Sequence, residues 1–524
     1  MYMKENMLVI DIGTQSLRVS IISPKGESLA FIQKKYEIPF FSSKDEYAEQ
    51  NVDYYMDILC DVTKEMKEDK PELLASAIGM VISCFRDTAV ILDKEKKPIR
   101  PSILWLDQRV TLLPHMNNLK WYEKALFALI GMTDTVKYNA ERTPSFWYKE
   151  NEPENWKKMK YYVPITAYFN YYVTGNLAVS SADTIGHYPI NFKDGTWLPS
   201  IHPKVDVFGI PLASLPPLVK SGEVIGKVSK EFSLKSGIEE GLPLYASGSD
   251  KACETFGNGC IENDMASISL GTACSIDVVS PKYCEPETFL PSYQAPYQGY
   301  YDLEIQIYRG MWMIKWFSDN FGAVDIDNAK KSNLSIEEYL NLKITSIPAG
   351  SDGLVLQPYW GPGLSRPNAK GSILGFSAVH TRYHLYRAII EGIAFGLREG
   401  LDEIQKKTHK KLDHIVISGG GSASDVFCQI IADVFGIKTV RASTNQSSTL
   451  GGAMSGFLAS GVYKTPEDCV KNMCSEGKAF TPDSKNHLTY DKLYKQVYLQ
   501  MFPSLKKVYN NCKHFYLQET GQEK

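Results

Sequence analysis

The residues best suited to chemistry stand in one short stretch near the start of the chain, Leu8-Val9-Ile10-Asp11-Ile12-Gly13-Thr14-Gln15-Ser16-Leu17-Arg18-Val19-Ser20-Ile21-Ile22. Asp11 closes an apolar run of strand type, and Gly13 lets the backbone come close to a ligand. Thr14, Gln15 and Ser16 add hydroxyl and amide groups, and Arg18 adds a fixed positive charge. A carboxylate for a metal ion, a glycine and a row of donors are what a nucleoside triphosphate requires. An ordinary hairpin with a polar turn accounts for the same residues, and the stretch alone does not separate the two readings.

Such a turn must be held by strands, and the first half of the chain supplies them in alternation with helices. Ser28 to Ile38 reads as a further strand. Val52 to Lys67 has helical spacing, with Tyr55, Ile58, Leu59, Val62 and Met66 on one side. Ala75 to Ile82 is an apolar strand that runs into the polar cluster Ser83-Cys84-Phe85-Arg86-Asp87-Thr88. Residues 110–200 are richer in aromatics and helical stretches, including Trp121 to Ile130 and Ala167 to Val173, and read as an insertion over the sheet. The alternation argues for an α/β protein with a mixed sheet.

Near residue 265 the pattern starts afresh. Met265-Ala266-Ser267-Ile268-Ser269-Leu270-Gly271-Thr272-Ala273-Cys274-Ser275-Ile276-Asp277 is again strand, Gly-Thr turn, strand, now without an aspartate before the turn. A helix from Arg382 to Lys407 follows, then the strand His414 to Ser418, the triple glycine Gly419-Gly420-Gly421 and a helix from Asp425 to Phe435. Ser448 to Ala459 is a helix with small residues that permit close packing, and Tyr490 to Met501 is a helix before a polar tail. Two halves with matching turns suggest a duplicated fold gripping one nucleotide from both sides, with the metal handled by the half that keeps the carboxylate.

A chain of 524 residues needs two large domains or three smaller ones. A formal charge of −3 does not point to a nucleic-acid or membrane surface. No apolar run reaches the roughly eighteen residues that span a bilayer. The leader Met1 to Asn6 is short and charged, unlike a signal peptide. The ten cysteines are scattered, without zinc-site spacing, which suits a reducing cytoplasm.

At this point the chain resembles the FGGY carbohydrate kinases of the actin, hexokinase and Hsp70 ATPase superfamily, from about Leu8 to Tyr463. The block Gly371-Ser372-Ile373-Leu374-Gly375-Phe376, followed by His384-Leu385-Tyr386-Arg387-Ala388-Ile389-Ile390-Glu391, is similar to the family's C-terminal signature. Trp105-Leu106-Asp107-Gln108-Arg109 is similar to its sugar-site segment, and Pro243 to Asp250 to the strand and turn that present its catalytic aspartate. Thr143 to Pro153 departs from the N-terminal signature, with Pro144 where a lysine is usual. The fold implied is α/β, two duplicated ribonuclease H-like (actin-like ATPase) domains flanking a catalytic cleft. Residues 1–264 would form the sugar-binding half and residues 265–524 the adenosine-binding half.

The resemblance also implies roles. Asp250 would be the general base, although its residue type and place before Lys251 suit a helix cap by themselves. Asp11 would hold Mg²⁺, and Thr14, Gln15, Arg18, Gly271, Thr272 and Gly310 would face the phosphates of ATP. Gly420, Gly421 and Asp425 would lie at the adenosine. Arg86, Asp87, Trp105, Asp107 and Arg109 would meet the acceptor, because sugars are held by charged hydrogen-bond partners and an aromatic face. His384 reads as structural. The expected acceptor is a pentulose, hexulose or polyol, and a homodimer follows from analogy alone. Arg86-Asp87-Thr88 is closer to the Arg-Glu-Thr of glycerol kinases than to the Met-His of xylulokinases, so a glycerol-kinase-like polyol kinase is the alternative within the family. A non-catalytic nucleotide-gated switch of the actin or Hsp70 type is the alternative outside it. Gly222 to Val228 falls one residue short of a Walker A loop, and a dinucleotide fingerprint is missing.

Overall fold

The computed structural model describes residues 4–44, 46–111, 119–262, 264–287, 290–361, 363, 366, 368–475 and 477–519. The first three residues of the leader and the last five of the tail lie outside them.

Two sheets repeat one topology. In the first, the strands Asn6–Ile12, Ser16–Ile22 and Ser28–Lys35 form an antiparallel meander. Asn6–Ile12 also pairs in parallel with Ala77–Cys84, which pairs in parallel with Pro243–Tyr245, and Val224–Lys227 closes that edge antiparallel. In the second sheet Met265–Leu270, Cys274–Ser280 and Tyr301–Ile307 form the meander. Met265–Leu270 pairs in parallel with His414–Ser418, that strand with Lys438–Arg441, and Ala479–Phe480 closes the edge antiparallel. Tyr293–Gln294 adds one strand outside the repeat. Order and direction match position for position, so the duplication expected from the two Gly-Thr turns is present.

Alternation along the strands decides what each sheet touches. Leu8, Ile10 and Ile12 pack with Tyr55, Leu59, Val62 and Met66 of the helix Val52–Asp69. Met7 and Val9, on the opposite face, pack with Leu450, Met454 and Phe457 of the helix Ser447–Ala459. In the second sheet Ala266, Ile268 and Leu270 join a core with Ile389, Ile393 and Leu397 of the helix Arg382–Thr408. Its other face carries Ser267, Ser269, Ser275, Asp277, Asp302, Glu304 and Ser418, all buried.

The helices Asp250–Gly257 and Ser447–Ala459, which follow equivalent strands of the two halves, pack on each other between the sheets. Glycines make this possible: a Cβ on Gly451 would stand 1.8 Å from the Cys253 carbonyl oxygen, and one on Gly257 would stand 1.9 Å from that of Ser447. The small residues expected to allow close packing thus do so across the two halves, and a late segment of the chain packs on the first sheet.

Other elements depart in detail. The apolar strand begins at Ala77 rather than Ala75, because Pro71–Ala75 is a short helix. The insertion holds helices between Trp121 and Thr174, and its strand Tyr161–Pro164 joins Glu49–Gln50, Ser102–Ile103 and Ala89–Leu92, which precede it, in a small sheet. Pro144, in place of the usual lysine, opens the helix Pro144–Asn151 at a position where proline fits. The terminal helix is longer than expected: Ser484–Leu493, one wide turn at Tyr494–Tyr498, then Leu499–Glu519. Tyr490, Tyr494 and Tyr498 recur every four residues and pack on Phe395, which draws the segment onto the core.

Candidate active site

Asp11 ends its strand on the face of Met7 and Val9, which turns toward the second half. Its Oδ2 accepts from Arg18 Nη1 at 2.8 Å, and Arg18 is its register partner on the next strand. Burial raises the Asp11 carboxyl; Arg18 and the Thr449 hydroxyl counter this, and the nearby charge of Glu254 adds to it. The turn is tight, with Gly13 N donating to Ser16 O at 3.0 Å, and it leaves Gln15 exposed.

Asp250 opens the helix Asp250–Gly257, yet it is not the cap. Ser249 takes that role, its hydroxyl accepting from Ala252 N at 3.4 Å. The Asp250 carboxylate, one-third exposed, accepts from Lys251 N at 2.8 Å and lies 3.9 Å from Arg86 Nε. Burial pushes its carboxyl above the ordinary value, Arg86 and Lys251 pull it down, and Asp11 pushes it up. Asp11, Arg86 and Asp250 therefore share one electrostatic neighbourhood.

The acceptor candidates divide. Trp105 is not a core residue: it is 37% exposed, and its Nε1 donates to the Thr14 hydroxyl at 3.0 Å. Asp87 has a left-handed backbone, with φ +54°, and its Oδ1 accepts from His187 N at 3.0 Å and meets His187 Nδ1 at 2.8 Å. A Cβ on Gly186 would stand 2.1 Å from that oxygen, so glycine there admits the carboxylate. Burial opposes charge on His187, and the charge and hydrogen bond of Asp87 outweigh it and raise the imidazole.

Asp107 and Arg109, expected at the acceptor, are bonded to each other and to their own loop. Asp107 Oδ1 accepts from Arg109 N at 2.9 Å and Arg109 Nε at 2.8 Å, and Oδ2 accepts from Ala48 N at 2.6 Å and Arg109 Nη2 at 2.8 Å. Arg109 also pairs with Glu49 at 2.7 Å and lies 3.7 Å over Tyr47 and 4.4 Å over Trp147. Through Nε and Nη2, Arg109 ties down the loop that presents Trp105, while its buried Nη1 is left without a hydrogen-bond partner among the described residues.

Among the residues expected at the nucleotide, Thr272 is exposed at the tip of the second turn, and Gly271 O accepts from Met311 N at 3.1 Å. Gly310 is buried under this turn, where a Cβ would stand 2.3 Å from Cys274 Sγ. Gly421 is buried against Leu270 and Met311, so packing already explains that glycine, whereas Gly420 faces open space. Asp425, expected near the adenosine, is paired on both oxygens: Arg441 Nη2 holds one at 2.5 Å and Lys478 holds the other.

Residue types had not singled out Glu254, Lys251, His187 or Glu304. Glu254 accepts from Lys251 Nζ at 2.9 Å, Ser269 Oγ at 2.9 Å and Ser418 Oγ at 2.7 Å. Against the cost of burial, these partners hold its carboxyl below the ordinary value. Its position four residues after Asp250 on a helix was the available signal. His187 lies a hundred residues from Asp87, and no local pattern links them.

Comparison with known proteins agrees with this architecture. The N-terminal domain of the FGGY family of carbohydrate kinases matches residues 6–257, and its C-terminal domain matches residues 266–460. A xylulose kinase of Lactococcus lactis is 26% identical over 97% of this chain and 99% of its own length. Among solved structures, a xylulose kinase and a gluconate kinase, both from Lactobacillus acidophilus, superpose with a TM-score of 0.79 at 22% identity. Each alignment covers 97% of this chain, with 99% of the xylulose kinase and 100% of the gluconate kinase. Those superpositions are a likeness of fold, whereas the family match runs through both repeated halves. The chain belongs to the FGGY family of carbohydrate kinases and is a phosphotransferase.

Proposed function

We propose that this enzyme transfers the γ-phosphoryl group of ATP to a hydroxyl of a small sugar or polyol, with Asp250 as general base. One observation carries the reading: Ser249 caps the helix, which leaves Asp250 at the cleft beside Arg86, with its carboxyl raised. Phosphoryl transfer is mainly positioning and charge neutralisation. Asp250 would take the proton of the attacking hydroxyl. Trp105 would offer its ring to the C–H face of the acceptor, and Arg86 and Asp87 would flank its hydroxyls. The Asp11 and Thr272 turns would face the phosphates from the two sides, with Gly420 at the adenosine. The division of labour would follow the two halves, residues 1–264 and 265–524.

Asp11 and Glu254 offer the hard oxygen donors that suit Mg²⁺, and Arg18 already occupies one Asp11 oxygen. Among the described residues no three His, Cys, Asp or Glu side chains are grouped to hold a metal ion. Magnesium takes few protein carboxylates and keeps several waters, so these residues fit it. When bound, the ion supplies charge neutralisation on the phosphates.

The reading includes a cytoplasmic setting, in keeping with ten free thiols, and a homodimer, which sedimentation would check. A coupled ADP-release assay over pentuloses, hexuloses, aldonates and polyols tests the function. Nucleotide binding without acceptor-stimulated turnover across that panel would sink it.

A further inference from the structure

The second half of the chain reaches the acceptor side of the cleft through Glu304. This residue sits on Tyr301–Ile307, on the polar face that the second sheet turns toward the first half. It is only 4% exposed. Its register partner across the sheet is Asp277, and Asp302 shares its face two residues away. Carboxyl groups crowded on one sheet face are eased by a facing cation. Arg86 provides it from the other half of the chain. Its Nη1 meets Glu304 Oε2 at 2.5 Å and its Nη2 meets Oε1 at 2.8 Å, a two-pronged fork. The Tyr293 ring flanks the same guanidinium at 5.6 Å.

The fork decides which charge the acceptor meets. Arg86 would otherwise be the natural partner of an anionic acceptor, because guanidinium binds carboxylate two-pronged. Both of its terminal nitrogens are committed to Glu304, and its Nε faces Asp250. The neighbouring His187 is matched in the same way by Asp87. An acceptor carboxylate here would meet Glu304 and Asp250 with no uncommitted partner in Arg86. Specificity often rests on such a repulsive element rather than on an added attraction.

We propose that Glu304 is a specificity-determining residue: by occupying Arg86 across the cleft, it confines the acceptor to neutral polyhydroxyl sugars and rejects sugar acids such as aldonates. This rests on the kinase reading above and deepens it. Arg142 is stacked 3.8 Å over Tyr138, with its charge felt at His187.

The test compares D-xylulose with D-gluconate as acceptors, by turnover and, separately, by calorimetric binding without ATP. Wild-type enzyme is expected to favour the neutral sugar by about a hundredfold or more, the size of a buried like-charge clash. Glu304→Gln, which keeps the shape and frees the Arg86 charge, is expected to narrow that ratio at least about tenfold by gaining gluconate. The double variant Arg86→Gln/Glu304→Gln removes both charges and is expected to lose that gain. Wild-type preference for gluconate, or equal use of both, would show that Arg142 or His187 supplies the missing charge and would overturn the proposal. An unchanged ratio in a folded Glu304→Gln would overturn it as well. Absence of turnover with every acceptor counts against the kinase reading, while the binding ratios still decide the role of Glu304; no binding of either sugar overturns both.

Discussion

The indole Nε1 of Trp105 donates to the hydroxyl of Thr14 at 3.0 Å. One residue stands on the wall expected to face the acceptor, the other on the turn expected to face phosphate. A single hydrogen bond thus ties the two sides of the transfer together. Trp105→Phe keeps most of the ring and deletes the bond, worth about 1 kcal/mol net. Acceptor KM is expected to rise several-fold, and further in Trp105→Ala. Steady-state kinetics with both variants check this, and unchanged acceptor KM in each would remove Trp105 from the site.

Asp250→Asn is expected to lower kcat by roughly two to four orders of magnitude, the usual size for a positioned base. Because Ser249 caps the helix, the fold is expected to survive, which circular dichroism checks. The pH profile follows from the same carboxyl. A base must be ionised, and burial raises this carboxyl above the ordinary value of 3.8. Activity is therefore expected to fall on acidification at a pH above that of an ordinary aspartate, and to be retained at higher pH. Near-normal turnover in a folded Asp250→Asn would refute the assignment.

Asp11→Asn is expected to raise the Mg²⁺ concentration needed for half-maximal rate by roughly 10–100-fold, as for groups that hold a metal through water. Titration of activity with Mg²⁺ at saturating acceptor measures this. A variant that loses stability but keeps the wild-type Mg²⁺ requirement would leave Asp11 as a turn residue paired with Arg18.

Asp302 gives stability a pH dependence. Burial and the adjacent Glu304 push its carboxyl from 3.8 up to about 8, while Arg86 and the Thr255 hydroxyl counter them. Between those values the folded chain holds a proton that the unfolded chain has released. Stability is therefore lost as pH rises from about 4 toward about 8. Asp302→Asn, which mimics the protonated form, is expected to flatten that loss. Urea unfolding at several pH values compares the two slopes, and equal slopes would place the effect elsewhere.

Gly451→Ala puts a methyl group 1.8 Å from the Cys253 carbonyl oxygen. The two helices must separate, at a cost of about 1–3 kcal/mol or more. Both the unfolding midpoint and turnover are expected to fall, since one of those helices begins with Asp250. Gly420→Ala, where a Cβ meets open space, is the stability control. Equal stability of the two variants would contradict the close packing.

The strand-turn-strand units at Asp11 and Gly271 were legible in the sequence because alternation, a glycine and polar turn residues are local signals. Repetition of the unit announced the duplication, and small residues in Ser447–Ala459 announced a close helix contact. The partner of that contact was not legible, because Cys253 and Gly257 lie about two hundred positions away. Nor could composition tell that Asp107 and Arg109 spend their hydrogen bonds on each other, since a charged pair two residues apart suits a sugar or a loop equally well.

Local periodicity and residue type made the main strands and helices, the repeated turn and the carboxylates available for chemistry readable along the chain. Which charges meet depends on the packed molecule. Arg86 finds Asp250 within its own half and Glu304 in the other, and His187 finds Asp87 across a hundred residues. Such pairings depend on how the two halves pack, and packing is set by the summed burial of many side chains rather than by any short run of them.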